Sequence, residues 1–392
     1  MHRFSIAYLM LIVIALSACG QRDPIISAWS PVGPQPTILP SVTPEQTLAT
    51  PAPLVAVMEP VQPTSTPSLV DIATQIDAYL RELTERGQFR GAVLVAAQDR
   101  ILVARGYGLA NVERDLPNTA QTRFRIASIT KPFTALAIMQ LQAAGKLAVD
   151  QSVCAYLPDC PRAWQPITLH HLLTHTAGIP NYTDFRDFAQ LELSPVTPTQ
   201  LAARFRNLPL DFAPGTAFRY GNSNYVVLGL VIEAVSGQSY ADYLRDNIFL
   251  PASMINSGYD SGDASALNGT VGYLGPGAER SIPIDTSNLY SAGGLYSTVE
   301  DLYRFVIALN NGQLLPSSAL VQMYTPVRND YGYGWKIEMR NGRRVIYHPG
   351  FMSGAVTHLA YYPEKGHVVI VLSNMERTNA DAIAATIGGW LP

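Results

Sequence analysis

Ser128 and Lys131 stand three residues apart in the run FRIASITKPFTALAIMQLQAAGKL, residues 124–147. A serine hydroxyl is a weak nucleophile until a neighbour takes its proton, and an amine one helical turn away could do so. Residues i and i+3 share a helix face, so Oγ and Nζ can meet at one point. Pro132 suits a first helical turn, where its missing N–H would have had no intrahelical partner. The same string also fits an ordinary helix start, with Ser128 as N-cap and Lys131 in solvent. The chain has four lysines, and Ala143, Tyr333 and Tyr362 stand three places before Lys146, Lys336 and Lys365, so the Ser-x-x-Lys spacing occurs once. Its meaning rests on the remainder of the chain.

Other chemistries find less support. His171 and His175 are four apart, with His170 beside them, but no Glu or Cys sits at ligand spacing and there is no His-Glu-x-x-His. Hydrogen-bonded structural histidines are therefore expected, with no metal and no cofactor. A Gly-x-Ser-x-Gly string is absent, which argues against the strand–turn–helix route to a serine nucleophile. Net charge is −3 and charged residues make up 15% of the chain. That is below the usual share of about a quarter, and nothing resembles a basic footprint for nucleic acid.

The elements that must position Ser128 can be read on both sides of it. Leu69, Ile72, Ile76, Leu80 and Leu83 recur at near-helical spacing and predict an amphipathic helix over 69–86. Two apolar runs, 91–96 and 101–107, flank Gln98-Asp99-Arg100 and read as a β-hairpin. The helix beginning at Ser128 runs as an amphipathic helix to about Ala144, closed by Gly145. Between about 150 and 260 the pattern is mostly helical, including 225–235 and 240–248. Strands return at 331–337, 345–347, 356–362 and 368–372, before a last helix over 381–390. Strands at both ends with helices between them predict an α+β domain: a sheet carrying a helical subdomain, with the active site at the seam.

The N-terminal residues are set apart from that domain. His2 and Arg3 precede an apolar run from Ile6 to Leu16, followed by Ser17, Ala18 and Cys19. This pattern predicts a secretory signal over 1–18 and is too short for a comfortable membrane span of about 20 residues. Small residues before a cysteine resemble a bacterial lipobox, which would make Cys19 the lipidated first residue of an exported, membrane-anchored protein. Residues 19–67 are rich in Pro and Thr and predict an extended tether at roughly 3 Å per residue. Cys154 and Cys160, six positions apart, are the other cysteines, and export would permit a disulfide between them.

From about 69 to 392 the chain resembles the serine β-lactamase-related family of class C β-lactamases, D,D-peptidases and β-lactamase-fold esterases. The resemblance is carried by Ser128-Ile-Thr-Lys131, HHLLTHTAGIP (170–180), and PGTAFRYGNSNYVVLGLVIEAVSG (214–237) with its Tyr220-Gly-Asn222 motif. SAGGLYSTVEDLYRF (291–305), YGYGW (331–335) and HPGFMSG (348–354) follow in the expected order. The family fold is an antiparallel sheet flanked by helices with an inserted, mostly helical subdomain.

The resemblance implies a role for each position. Ser128 would be the acylated nucleophile, and Lys131 would accept its proton or supply the charge that lets Tyr220 do so. Tyr220 would pass the proton to the leaving group, and Asn222 would hydrogen-bond Lys131 or a substrate amide. Backbone N–H groups of Ser128 and Phe351 would form the oxyanion hole, with Gly350 on an edge strand letting a substrate backbone approach. Penicillin-recognising members carry Lys-Thr-Gly where this chain has His348-Pro349-Gly350. His348, neutral near pH 7, could donate a hydrogen bond or assist proton transfer, but it cannot fix a carboxylate as a lysine does. No Glu-x-x-Leu-Asn of class A enzymes is present, so a Tyr/Lys mechanism fits better than a glutamate-activated water. The expected activity is a serine hydrolase acting on an ester or a D-amino-acid peptide or amide, with weak β-lactamase activity possible. The alternative is a catalytically feeble penicillin-binding-like sensor or scaffold of the cell wall. Oligomeric state is left open.

Overall fold

The computed structural model describes residues 68–262 and 265–392. Cys19, the 1–18 leader and the 19–67 tether read from the sequence lie outside them.

Ser68 caps the first helix, α1 (Leu69–Glu85): its Oγ accepts the Asp71 N–H at 3.2 Å while the Asp71 carboxylate accepts the Ser68 N–H at 3.0 Å. Ile72, Ile76 and Leu80 are the buried stripe. Strands β1 (Gly91–Ala97) and β2 (Arg100–Tyr107) form the expected hairpin. Gln98 and Asp99 alone make its turn, both at positive φ (51° and 59°), as a two-residue hairpin of this hand requires. Arg100, expected in the turn, opens β2 instead.

Helix α2 (Thr130–Ala143) follows, then α3 (Asn222–Ser236), α4 (Val299–Asn310), β3 (Lys336–Arg340), β4 (Arg343–Met352), β5 (Ala355–Tyr362), β6 (His367–Ser373) and α5 (Ala380–Trp390). The sheet order is β2-β1-β6-β5-β4-β3, and every neighbouring pair is antiparallel. The first and last strands of the sheet in chain order, β1 and β6, thus pair at the sheet centre.

Period-two alternation sorts the central strands onto two cores. Val93, Val95, Val369 and Val371 face α1 and α5, whereas Ala92, Leu94, Ile370 and Leu372 face α2, α3, α4 and the helical insert. This is the α+β, β-lactamase/transpeptidase-like architecture. The insert is less regular than its sequence pattern suggests. Leu169–Leu173 and Pro198–Ala203 are short helices, and the 240–248 segment is one turn, Tyr240–Leu244, widening into a π-type turn over Arg245–Phe249. Cys154 and Cys160 are joined by a disulfide with Cα atoms 5.2 Å apart.

Three departures from the sequence expectations bear on the site. Helix α2 is not amphipathic: Thr130 through Met139 are buried without a break, because α3, the 290–293 turn and the apolar core surround it. Residues 331–335 do not extend the strand. Gly334 adopts φ +78°, and a Cβ there would lie 2.8 Å from the Lys131 carbonyl oxygen, so the segment turns to pack on α2. Finally, β4 is much longer than 345–347 and runs through His348-Pro349-Gly350. It is also not the sheet edge, since β3 covers it from Arg343 to Tyr347. Beyond Tyr347 its outer side is bare of any strand, and the functional stretch is an edge only there.

Candidate active site

Ser128 lies in a short 3₁₀ turn, Ala127–Ile129, that leads into α2. Ala127 holds φ +48°, a left-handed conformation that costs a residue with a Cβ on the order of 1–3 kcal/mol. Packing keeps it there. A Cβ on Gly350 would lie 3.2 Å from Ala127 Cβ, 2.6 Å from the Ile126 carbonyl and 2.2 Å from Thr357 Oγ1. Thr357 Oγ1 itself donates to the Ile126 carbonyl at 3.0 Å. Gly350 therefore serves the approach of β4 and β5 to the Ser128 turn, since the space a side chain would take is filled by protein.

Lys131 is fully buried. Its Nζ contacts three oxygens: Asn222 Oδ1 at 2.8 Å, the Ala292 carbonyl at 2.8 Å and Ser128 Oγ at 3.0 Å. Two of these can only accept, so two N–H bonds are committed to them. The third tetrahedral position points at the Ser128 hydroxyl, where a neutral amine would present its lone pair. Burial holds the amine well below the ordinary lysine range. The rings of Tyr220 (4.8 Å) and Tyr225 (5.6 Å) offer the cation some compensation, but no carboxylate pairs with it among the described residues. Desolvation wins.

Asn222 opens α3, and three contacts set its amide. Its backbone N–H donates to Asn181 Oδ1 at 2.9 Å and its Nδ2 to Thr183 Oγ1 at 3.3 Å, leaving Oδ1 for Lys131. Asn181 in turn donates to Thr183 and Asp184, so the 181–184 turn acts as a clamp. Tyr220, just before α3, packs against His175 with ring centres 4.4 Å apart and planes tilted by 42°. Burial pushes its phenol well above the usual tyrosine value, with the Ser128 hydroxyl, as hydrogen-bond partner, acting the other way.

His348 is buried and lies in the same cavity. Its Nδ1 meets the Pro349 carbonyl at 2.6 Å, an acceptor only, so Nδ1 carries the proton. Nε2 then accepts from the Tyr331 hydroxyl at 3.0 Å. Burial, reinforced by Lys131, pushes the imidazole down to about 3. His348 is thus a neutral group with both nitrogens engaged inside the protein.

Pro349 informs the oxyanion hole. It pairs with His358 inside the continuous β4–β5 ladder, yet has no N–H to give. Its nitrogen belongs on the side away from β5, and strand alternation turns the Phe351 N–H, two residues on, to that same bare side. The Phe351 side chain is exposed at the mouth. Ser128, Tyr220, Asn222, His348, Gly350 and Phe351 all line one cavity of about 750 Å³, together with Phe218, Lys336 and Asp381.

The three histidines of the 170–175 stretch do not converge. His170 Nδ1 meets Tyr333 Oη at 2.7 Å, and His171 Nδ1 accepts the Thr168 N–H at 3.2 Å, within a helix that ends at Leu173. His175 lies beyond that helix at φ +57°, so the i, i+4 spacing does not place it on the face of His171. It is fully buried, and its Nδ1 accepts the Gly221 N–H at 3.3 Å, which steadies the backbone beside Tyr220. Sequence reasoning missed this support for Tyr220, along with the Ala292 carbonyl, the Asn181–Thr183 clamp and the Tyr331–His348 bond. For His175, Ala292 and Tyr331 the only signal was membership of the 170–180, 291–305 and 331–335 stretches, which carried no individual role; Asn181 and Thr183 lie outside those stretches and had none.

Comparison with known proteins bears on the family and the fold. The family model described as Beta-lactamase matches residues 76–390. The chain is 31% identical over 326 residues to a penicillin-binding protein of Bacillus subtilis (strain 168), covering 77% of this chain and 71% of that one. The crystal structure of a penicillin-binding protein from Bacillus halodurans superposes with a TM-score of 0.71 at 32% identity, over 79% of this chain and 98% of that one. A D-stereospecific amidohydrolase from Streptomyces sp. gives a TM-score of 0.65 at 25% identity, over 81% and 97%.

Proposed function

The chain belongs to the beta-lactamase family, and from that premise we propose that it is a serine hydrolase working through an acyl-enzyme on Ser128. The observation that carries this reading is the Lys131 amine, pinned by two acceptor oxygens with its remaining position on Ser128 Oγ at 3.0 Å. Lys131 takes the hydroxyl proton as Oγ bonds to the acyl carbon. The resulting oxyanion is held by the N–H groups of Ser128 and Phe351. Tyr220, kept a phenol by burial, gives its proton to the leaving group as the bond to it breaks, and Lys131 restores that proton. Water then adds to the ester by the same steps in reverse, releasing the acid and Ser128. Of the two bases open at the sequence level, the downward shift of Lys131 and the upward shift of Tyr220 both favour the amine.

The substrate in this reading is an ester or a D-amino-acid peptide or amide, the latter supported by the D-stereospecific amidohydrolase among the structural relatives. β-Lactams are poorer substrates in this reading, because the neutral, internally bonded His348 offers no charge at the position where penicillin-recognising members carry lysine. We also propose that the protein is exported and lipid-anchored through Cys19, a reading that a Cys154–Cys160 disulfide suits. Labelling with a fluorophosphonate tests the first reading: wild type gains one adduct on Ser128, and Ser128→Ala gains none while keeping its circular dichroism. An adduct that persists in Ser128→Ala overturns it. Radiolabelled fatty acid that enters a control lipoprotein but not this one overturns the anchor.

A further inference from the structure

Lys336 lines the same cavity as Ser128, and the mechanism gives it no task. It opens β3 opposite Tyr347, the residue before His348. There β3 begins to cover β4, and the bare edge over 348–352 begins. A ligand lying along that edge would continue the line of β3, with Lys336 at the junction.

The charges around Lys336 are otherwise committed. Glu338 accepts from the Tyr347 hydroxyl and, at 3.1 and 3.0 Å, from Arg340. Asp381, on the same cavity, is held by His358 Nδ1 at 2.5 Å. Among the described residues Lys336 makes no ion pair; its Nζ rests 5.8 Å from the centre of the Tyr347 ring. It is a cation lining a substrate cavity that feels the Glu338 and Asp381 carboxylates at a distance but is paired directly with neither, beside a strand edge that offers backbone hydrogen bonds.

We propose that Lys336 is a specificity-determining residue whose ammonium receives a carboxylate carried by the acyl substrate, so that the preferred substrates are anionic. This rests on the serine-hydrolase reading and narrows its substrate class. A single charge matches a carboxylate, and a partly sheltered ion pair of this kind shifts selectivity on the order of tenfold.

Two pairs of thioesters test it. In one, a common acyl group is released from thioglycolate or from its neutral amide; in the other, a succinyl or a methylsuccinyl group is released from a common thiol. Wild type is expected to favour the carboxylate in at least one pair by on the order of tenfold in kcat/KM, through KM, with less preference at high salt. Lys336→Met should bring that ratio to about one, and Lys336→Arg should restore it. Asp381→Asn should keep it or raise it. No preference in either pair, a ratio unchanged in Lys336→Met, or a ratio lost equally in Asp381→Asn overturns the assignment. If Ser128 is not labelled and no thioester is cleaved, the serine-hydrolase reading itself has failed.

Discussion

Asn222→Asp isolates the role of the Lys131 amine, because it replaces one acceptor by another of the same shape and adds a charge. Asn222 Oδ1 lies 2.8 Å from Nζ. At that distance of 2.8 Å and an effective dielectric of about 20, opposite unit charges attract by about 6 kcal/mol. Roughly half of this is offset by the hydrogen bond already present and by burying a carboxylate, which leaves about 3 kcal/mol. That is about two pKa units, upward, since the ammonium is the form stabilised. The protonated, inactive amine then persists to higher pH. The acidic limb of kcat/KM should move about two pH units to the alkaline side, so that activity well below the limb drops about 100-fold and recovers at alkaline pH. Thr183 can donate to the new carboxylate and keep it in place. The assay is the pH profile of thioester hydrolysis for wild type, Asn222→Asp and the uncharged control Asn222→Ala. An acidic limb that stays put in Asn222→Asp, with activity lowered equally at every pH, would refute Lys131 as the base.

Two further outcomes follow from contacts around Ser128. Gly350→Ala would place a Cβ 2.2 Å from Thr357 Oγ1 and 2.6 Å from the Ile126 carbonyl. Forcing β4 off the Ser128 turn should cost about 1–3 kcal/mol and slow acylation, measured by thermal unfolding and labelling rate, with partial recovery in Gly350→Ala/Thr357→Ala. His348 is pushed down to about 3 in the folded protein, so below an unfolded value near 6.5 the unfolded chain binds the extra proton. Stability should therefore fall as pH drops through that window, by up to about 1.4 kcal/mol per pH unit. His348→Gln should flatten that slope in urea unfolding between about pH 6.5 and 3; an unchanged slope would show that other groups carry it.

Much of the frame was legible in the residues. The α1 stripe, the β1–β2 hairpin and the strands around 356–362 and 368–372 all follow local patterns that the structure keeps, because α1 packs one stripe and the central strands pack both of their alternating faces. The misreadings fall where tertiary contact overrides local pattern. α2 shows an apolar face in sequence but is buried all round. The 331–335 run is apolar enough for a strand, yet Gly334 bends it onto the Lys131 carbonyl. β4 continues through Pro349, which local rules read as an end, because its outer side beyond Tyr347 needs no ladder partner.

Ser-x-x-Lys was visible in the chain, together with the order of motifs that identifies the family, because those are matters of residue type and spacing. Covalent neighbourhood alone put Ser128 and Lys131 within one turn of each other. Whether that amine is a solvated cation or a base depends on what removes water from it and which oxygens hold it. Asn222 and Ala292 come from positions 91 and 161 residues along the chain, and only the folded molecule brings them to Nζ. The same holds for His348, whose type suggested a donor to substrate and whose burial against Tyr331 and Pro349 turns both nitrogens inward. Residue type names the groups that can react; burial and long-range hydrogen bonds decide their protonation and direction, since both depend on the solvent that tertiary packing excludes.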